Sequence, residues 1–539
     1  MADSAPLLLP SYTSASEETH PPLPLPLPLP QHCGVDGDKH AVRSIDDAIE
    51  ACVGRTGSAQ LLRAIFVALA WVFDAQQTFI SVFADAHPSW HCTDTDARAC
   101  SAAAASTPCG LPPGAWAWDL PASASVVSDW ALECAGPSLV SLPASSFFLG
   151  CVLGGLVLAT LADSALGRKG MLFASCFIMS LTGILTAFSP NVWAYSALRF
   201  VCGFGRAMVG SSALVLCNEM VGRKWRDRIS ICGFFCFTLG FLSLPALAYA
   251  NRRSSWRQLY LWTSVSSLCY TILLHFLIHE SPRWLFVRGR RDEAVAALKH
   301  IAVSAGSNSV NSSFSSLYNV GGEETWNADV FSAVKMLYEK KWAFRRLAAV
   351  MIVGFGVGIV YYGMPLNVGN LGSNLYLSVT FNALAELPSS LVTFLLIGKL
   401  NRRGSVILFA AVSGACSVAC VYIASPAWAR MAVEVVSFFS ACTAFNITLI
   451  FAIELFPTCV RNSAISMARE AIVLGGALAP LLVAEGRKRG LFVSFGVFGL
   501  AIGCCGLFAA CLPETRGRSI CDTLEEEEHK QTIDSSATV

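Results

Sequence analysis

Charge is what this sequence has least of. Only 14% of its 539 residues are Asp, Glu, Lys or Arg, where soluble domains carry about 25%. Hydrophobic residues make up 54% of the chain, and mean hydropathy is +0.54. Water cannot solvate such a composition, so a soluble enzyme is excluded at the outset. The net charge of +1 gives no electrostatic reason to expect a nucleic-acid partner. Also missing are a phosphate-binding GxxxxGKS/T, an HExxH and a GxSxG, so neither an enzyme, a cofactor nor a metal site is expected. The first 60 residues hold no uninterrupted apolar run after a basic start; no cleaved leader is expected, and Leu61 onward should act as the first signal anchor. The loop 85–137 contains no asparagine, and the sequons at Asn311 and Asn446 fall in a polar linker and inside an apolar run, so glycosylation is not expected.

What is present is apolar length. A bilayer crossing takes roughly 20 apolar residues, and runs of that size recur near 61–83, 139–161, 171–189, 192–216, 229–250 and 258–278, then near 346–364, 373–397, 405–424, 429–453, 464–484 and 491–512. The expected fold is therefore an all-α polytopic membrane protein with about twelve transmembrane helices in two six-helix halves. The chain divides into a proline-rich disordered tail (1–60), a first half (61–280), a polar linker (281–345), a second half (346–512) and a short tail (513–539). Within the first tail, Pro21 to Pro30 alternates proline and leucine, which makes a stiff extended segment. Two halves around a midplane site is the plan of a secondary transporter, although the sequence shows the count and not the symmetry.

Basic residues set the expected orientation. Arg168 and Lys169, then Arg223, Lys224, Arg226 and Arg228, then Arg283, Arg288, Arg290 and Arg291, then Lys399, Arg402 and Arg403 share one side, which should be cytosolic together with both termini. Arg252, Arg253, Arg257, Arg487, Lys488 and Arg489 fall on the other side, so the bias is incomplete. The long loop 85–137 then faces an oxidising compartment. Its Cys92, Cys100, Cys109 and Cys134 can form two disulfides in three connectivities, and pairing is expected over a zinc site.

Several motifs carry mechanism. Asp163, Gly167, Arg168 and Lys169 after the second run resemble the loop signature of the major facilitator superfamily, with one extra residue before the glycine and Ser164 in place of a basic residue. Arg199 with Gly203 and Gly205, and Glu219 before a basic run, resemble the fourth-span signature of the same superfamily. HisGluSerProArgTrpLeu (279–285), GluLeuPheProThrCysValArgAsn (454–462), ProGluThrArgGly (513–517) and SerAspTrpAlaLeuGluCys (128–134) resemble the organic cation, anion and carnitine transporter family, and TrpValPheAspAlaGlnGlnThrPhe (71–79) resembles its plant branch. The resemblance spans roughly Leu61 to Gly517. It implies a cytosolic gate built by Asp163, Gly167, Arg168, Lys169, Arg199, Glu219, Glu280, Arg283, Glu454, Arg461, Glu514 and Arg516, with Glu280, Arg283, Glu454, Arg461, Glu514 and Arg516 at span ends in pairs of opposite sign. GlyLysLeuAsnArgArgGly (398–404) is the second half's version of the loop and lacks the aspartate.

Substrate contacts are sought among charged and aromatic residues inside the runs, where a charge is costly unless it has work to do. Asp74 and Glu386 lie within the first and eighth runs, Trp71, Tyr361 and Tyr362 offer ring faces to a quaternary ammonium, and Arg469 suits a carboxylate. The charge-selecting position that the resemblance places deeper in the eleventh run is apolar here, near Val473. A zwitterion such as carnitine satisfies both sets. The expected function is secondary transport of organic cations or carnitine-like zwitterions by alternating access. Sugar or anion transport and a non-transporting membrane sensor are the alternatives. The expected partners are a small-molecule substrate and the lipid bilayer, with a co-transported proton or sodium left open; the setting is a plasma or vacuolar membrane.

Overall fold

Without water in the hydrocarbon layer, every backbone N–H and C=O must be satisfied within the segment that crosses it, which selects helices. The computed structural model describes residues 58–93, 108–161, 166–304, 330–516 and 521–529, apart from positions 110, 112, 113, 397, 398, 400, 424 and 522. The proline-rich segment, Cys100, Asp163 and residues 305–329 of the linker lie outside the described residues.

Eleven described helices are long and apolar enough to cross a membrane: Gln60–Ala84 (span 1), Pro137–Leu158 (span 2), Gly167–Thr186 (span 3), Val192–Met220 (span 4), Arg228–Ala250 (span 5), Trp256–Leu277 (span 6), Lys341–Leu371 (span 7), Arg402–Tyr422 (span 9), Ala427–Leu455 (span 10), Thr458–Arg489 (span 11) and Phe492–Cys511 (span 12). The helix Leu375–Leu396 (span 8) carries Asn382, Glu386, Ser389 and Ser390, which dilute its apolar character. It crosses nonetheless. Asn370, at the end of span 7, accepts a hydrogen bond from Arg487 of span 11 at 3.0 Å. Arg402, which opens span 9, pairs instead with Glu454 at the far end of span 10. The 22 residues between must carry the chain from one face to the other, and at 1.5 Å per residue they reach about 33 Å.

One end of the bundle, the loop face, carries the described residues of the segment 85–137. There Trp90–Cys92 pairs antiparallel with Trp116–Trp118, and a disulfide joins Cys109 to Cys134 (S–S 2.06 Å). Cys92 is disulfide-bonded as well. The other end, the linker face, carries the short helices Pro282–Val287, Arg291–Ser304 and Val330–Glu339. Large apolar side chains such as Leu156, Phe276, Trp262 and Phe394 remain exposed along the spans, which suits a lipid solvent.

Between helices, where lipid supplies no hydrophobic driving force, close approach of backbones does the packing. A Cβ on Gly150 would overlap the carbonyl oxygen of Phe200, and one on Gly203 would overlap that of Phe147, so spans 2 and 4 touch backbone to backbone. Gly358 and Gly475 do the same for spans 7 and 11, and Gly240 sits on the Val72 carbonyl between spans 5 and 1. The two halves meet along other seams, span 2 against span 11 and span 5 against span 8. Aromatic rings bridge them: Phe79 to Tyr361 (6.4 Å), Phe83 to Tyr376 (5.7 Å) and Phe148 to Tyr362 (4.7 Å).

Candidate functional site

At the linker face the helix starts carry the chemistry. The first turn of a helix has N–H groups without intrahelical acceptors, and a carboxylate there gains from both hydrogen bonding and the dipole. Glu280 supplies it for span 3, accepting from the backbone N–H of Arg168 (2.9 Å) and Lys169 (3.0 Å). Gly167 makes the turn possible with φ +74°, where a Cβ would strain and would strike the Glu280 carboxylate. Glu514 does the same for span 9, accepting from Arg402 N–H at 2.9 Å and Arg403 N–H at 3.2 Å. In each half the first arginine and its carboxylate are 112 residues apart. The second pair repeats the first after 234 positions, from Arg168 to Arg402 and from Glu280 to Glu514. Ser281 and Thr515 obey the same shift, the former beside Glu219 and the latter donating to Glu454 at 2.5 Å. The symmetry that the sequence concealed is legible in these capping contacts.

The gate expected from sequence is thereby redrawn. Glu454 does not pair with Arg461; its ionic partner is Arg402 (3.1 Å), and Arg461 donates to the Phe456 carbonyl and the Thr458 hydroxyl. Arg516 donates its backbone N–H to Glu514 and its guanidinium reaches Asn401 Oδ1 at 3.5 Å. Glu219 faces Ser281, Arg168 and Arg283. Arg199 does not belong to this face. Fully buried, it donates to the Gln77 carbonyl (3.2 and 3.3 Å) and to Ser81 Oγ (3.1 Å) near the loop-face end of span 1, with its guanidinium 4.1 Å above the Phe147 ring. Span 4 enters from the loop face, so a residue seven positions after its start cannot reach the opposite end.

In the middle of the bundle Asp74 is not an open carboxylate. Arg206 grips it with two bonds, Nε to Oδ1 at 2.6 Å and Nη2 to Oδ2 at 3.2 Å, and both side chains are nearly excluded from solvent. Span 4 breaks at Ala207–Met208, directly after this arginine. Arg206 escaped the sequence reading even though the rule that singled out Arg199 applies equally to it, since both lie inside the same apolar run. Trp71 packs on Phe234 and Phe237 (6.1 and 6.0 Å) and closes against Gly210.

Across the seam, Glu386 is 8% exposed, accepts the Tyr361 hydroxyl at 2.6 Å on Oε1 and has a buried Oε2 without a hydrogen-bond partner. Tyr361 is stacked with Phe445 (4.6 Å) and Phe438 (5.9 Å). Tyr362 stands within the fields of Arg206 and Arg469. Arg469, half-buried in span 11, makes no ion pair among the described residues, while its neighbour Glu470 packs over Gly155 of span 2. Glu434, missed from sequence although it lies within an apolar run, is fully buried and takes one hydrogen bond, from Asn382 Nδ2 at 3.0 Å.

A cavity of about 350 Å³ opens at the loop face, between the ends of spans 1, 5, 7, 8 and 11. Asp85, His87, Arg252, Tyr376 and Arg487 are on its wall. Neither Asp74, Trp71, Tyr361, Tyr362, Glu386 nor Arg469 lines it; they lie deeper, beneath the Phe79, Phe83 and Tyr376 rings. The cavity is a vestibule whose wall does not include the central charges.

Comparison with known proteins places this arrangement. A family profile described as "Sugar (and other) transporter" matches residues 74–526. The chain is 54% identical to organic cation/carnitine transporter 2 of Arabidopsis thaliana over 92% of its own length and 96% of that protein's. It is 51% identical to organic cation/carnitine transporter 3 of the same plant over 98% of both chains. Solute carrier family 22 member 3 of Mus musculus is 30% identical over 75% of this chain and 72% of that one. Among solved structures, the inward-open xylose transporter XylE from E. coli superposes with a TM-score of 0.59, at 16% identity, over 85% of this chain and 97% of the other. That likeness is one of fold.

Proposed function

The chain belongs to the sugar (and other) transporter family and, within it, with the organic cation/carnitine transporters, and on that premise we propose that it moves organic cations or carnitine-like zwitterions across a plasma or vacuolar membrane. The observation that carries the substrate class is Glu386: a buried carboxylate with one oxygen held by Tyr361, the other unpartnered, beside stacked ring faces. Such a carboxylate is stable only with a proton or a cation beside it, and a quaternary ammonium that donates no hydrogen bond is held by charge and ring quadrupoles together. Asp74, already neutralised by Arg206, no longer competes for that role. Arg469 supplies the complementary charge for a carboxylate at the other end of a zwitterion.

The linker face is the cytosolic one in this reading, with both termini beside it. Arg168, Lys169, Arg402 and Arg403 crowd that end, as a cytosolic bias requires, and the disulfides lie at the other. Glu280 and Glu514, Glu219 and Glu454 form a gate in two equivalent parts, with Arg168 and Arg402 as the cations. A gradient of protons or membrane potential drives the cycle.

Uptake of labelled carnitine and of tetraethylammonium by cells expressing the wild type, Glu386→Gln and Arg469→Gln tests this, with surface expression measured in parallel. Glu386→Gln should lose both substrates, and Arg469→Gln should lose carnitine while retaining the simple cation. Undiminished uptake in Glu386→Gln overturns the site. A wild type that reaches the membrane and moves neither compound overturns the substrate class and leaves sugars or anions.

A further inference from the structure

Asp85 is the first residue beyond span 1, and it sits where the vestibule meets the first-half bundle. Its Oδ1 accepts the hydroxyl of Tyr195 from span 4 at 2.7 Å. Tyr195 Oη is in turn 2.8 Å from Tyr260 Oη of span 6. A phenol has one proton to give, so with Tyr195 donating to Asp85, Tyr260 donates to Tyr195. The order Tyr260, Tyr195, Asp85 is fixed by that count. Trp130 and Trp256 pack edge-on against Tyr195 at 5.7 and 5.3 Å and close the relay from the side.

The other oxygen of Asp85 is different. Oδ2 is buried without a hydrogen-bond partner, and Asp85 makes no ion pair among the described residues. Charged and titratable groups stand around it on several elements. Arg199 of span 4 lowers its proton affinity through space but spends its N–H groups on Gln77 and Ser81. Arg487 of span 11 and Arg252, beyond span 5, stand on the vestibule wall. His87, two residues along, is held neutral, its basicity lowered to about 3 by burial and then by Arg487. The neighbouring pair Asp129–Arg257 is closed on itself at 2.6 Å. A buried carboxylate with no cation in contact and an unpartnered second oxygen, with only the Tyr195 and Ser81 hydroxyls and the Arg199 field favouring its charge, is the arrangement that favours a proton.

We propose that Asp85 is a proton-binding site of the loop-face vestibule, loaded on Oδ2 from the solution on that side, and that its loading weakens the tether that Tyr195 makes between spans 1 and 4. Burial pushes the Asp85 carboxyl up to about 6, against the opposing pull of the Tyr195 hydroxyl, Arg199 and the Ser81 hydroxyl. The acid is therefore protonated below that pH and charged above it. The bond from Tyr195 is charge-assisted in the charged state, and a charge-assisted bond is roughly twice as strong as a neutral one; acid on the loop face loosens the junction of spans 1, 4 and 6. Proton binding here stands apart from the identity of the transported compound. Its effect on a transport cycle rests on the function proposed above.

The test reads the proton directly. Infrared difference spectra of the purified full chain between pH 5 and pH 7 report protonated carboxyl groups, with the Asp85→Asn spectrum subtracted. The wild type should show a carboxyl band with a midpoint near pH 6, and Asp85→Asn should lack it. Tyr195→Phe removes a donor to the charged form, so its midpoint should move upward; this variant keeps the test alive if Asp85→Asn fails to fold. A band that persists unchanged in Asp85→Asn, or a midpoint that Tyr195→Phe leaves in place, overturns the proposal. Uptake of carnitine by the wild type is measured on the same preparation reconstituted in vesicles: a titrating band without uptake of any organic cation removes the transport reading and leaves the proton site standing.

Discussion

Replacing Asp74 by asparagine leaves Arg206 charged in a place with no other anion in contact. Its remaining neighbours are the Cys151 thiol at 3.8 Å and the Phe147 ring at 6.0 Å, with Tyr362 and Glu470 in its field but not bonded to it, and the side chain keeps 11% of its exposure. Breaking a buried pair by removing one partner costs about 3–5 kcal/mol, because the survivor is stranded rather than because the pair was strong. Removing both charges should cost much less. We therefore expect Asp74→Asn to lower the unfolding free energy of the detergent-purified chain by about 3 kcal/mol or more, and the double variant Asp74→Asn/Arg206→Gln to recover most of that loss. The double-mutant cycle in denaturant melts measures this coupling. Two results refute the reasoning: an Asp74→Asn melt that coincides with wild type, or a double variant as unstable as the two single losses added together. The outcome also governs how uptake is interpreted. A loss of transport in Asp74→Asn that the double variant restores belongs to the stranded arginine and not to a lost substrate contact.

Two further expectations follow from packing and capping. Gly203→Ala places a methyl group inside the Phe147 carbonyl, a backbone atom that cannot swing aside, and should destabilise by about 1–3 kcal/mol; Gly503→Ala, with nothing within 4 Å, should leave the melt unchanged or slightly raised, and equal melts refute the seam. Glu280→Ala and Glu514→Ala each remove the acceptor for a helix start, at about 0.5–2 kcal/mol apiece, and because the two caps sit in different halves their costs should add in the double variant; a marked departure from additivity in the same melts would show the halves to be coupled through them.

Which parts of this were legible in the residues depends on the physical signal. Apolar length announces a helix in a membrane almost by itself, and it failed only at edges: span 11 runs from Thr458 to Arg489 where the apolar stretch suggested 464–484, because charged residues at helix ends reach water and do not interrupt the hydrogen-bond ladder. Span 8 was found by its apolar ends in spite of its polar middle. Partners were harder. Glu280 reads as one of a pair with Arg283, three residues away, yet it bonds to backbone N–H groups 112 residues earlier, and no periodicity encodes an acceptor for a distant helix start. The same is true of Glu454 and Arg402, whose meeting depends on how spans 9 and 10 pack. Arg206 and Glu434 were visible as charges inside apolar runs, and passed over. Asp85 lay just outside the first run, where a carboxylate is ordinary, and only the rings of Tyr195 and Tyr260 make it otherwise.

The glycine contacts have a mechanical meaning. Where two backbones touch, there is no layer of side chains to re-pack, so a slide of even one ångström must climb over carbonyl oxygens. Spans 2 and 4, spans 1 and 5, and spans 7 and 11 are in that sense riveted, and each pair travels as a single beam. Freedom is left to the seams filled by long or ring-shaped side chains, where Glu470 lies over Gly155 and Tyr362 lies against Phe148. Shape change in this molecule is thus confined by the positions of hydrogen atoms on a few α-carbons, and adding one methyl group at a rivet would alter what the protein can do without touching any residue that meets its cargo.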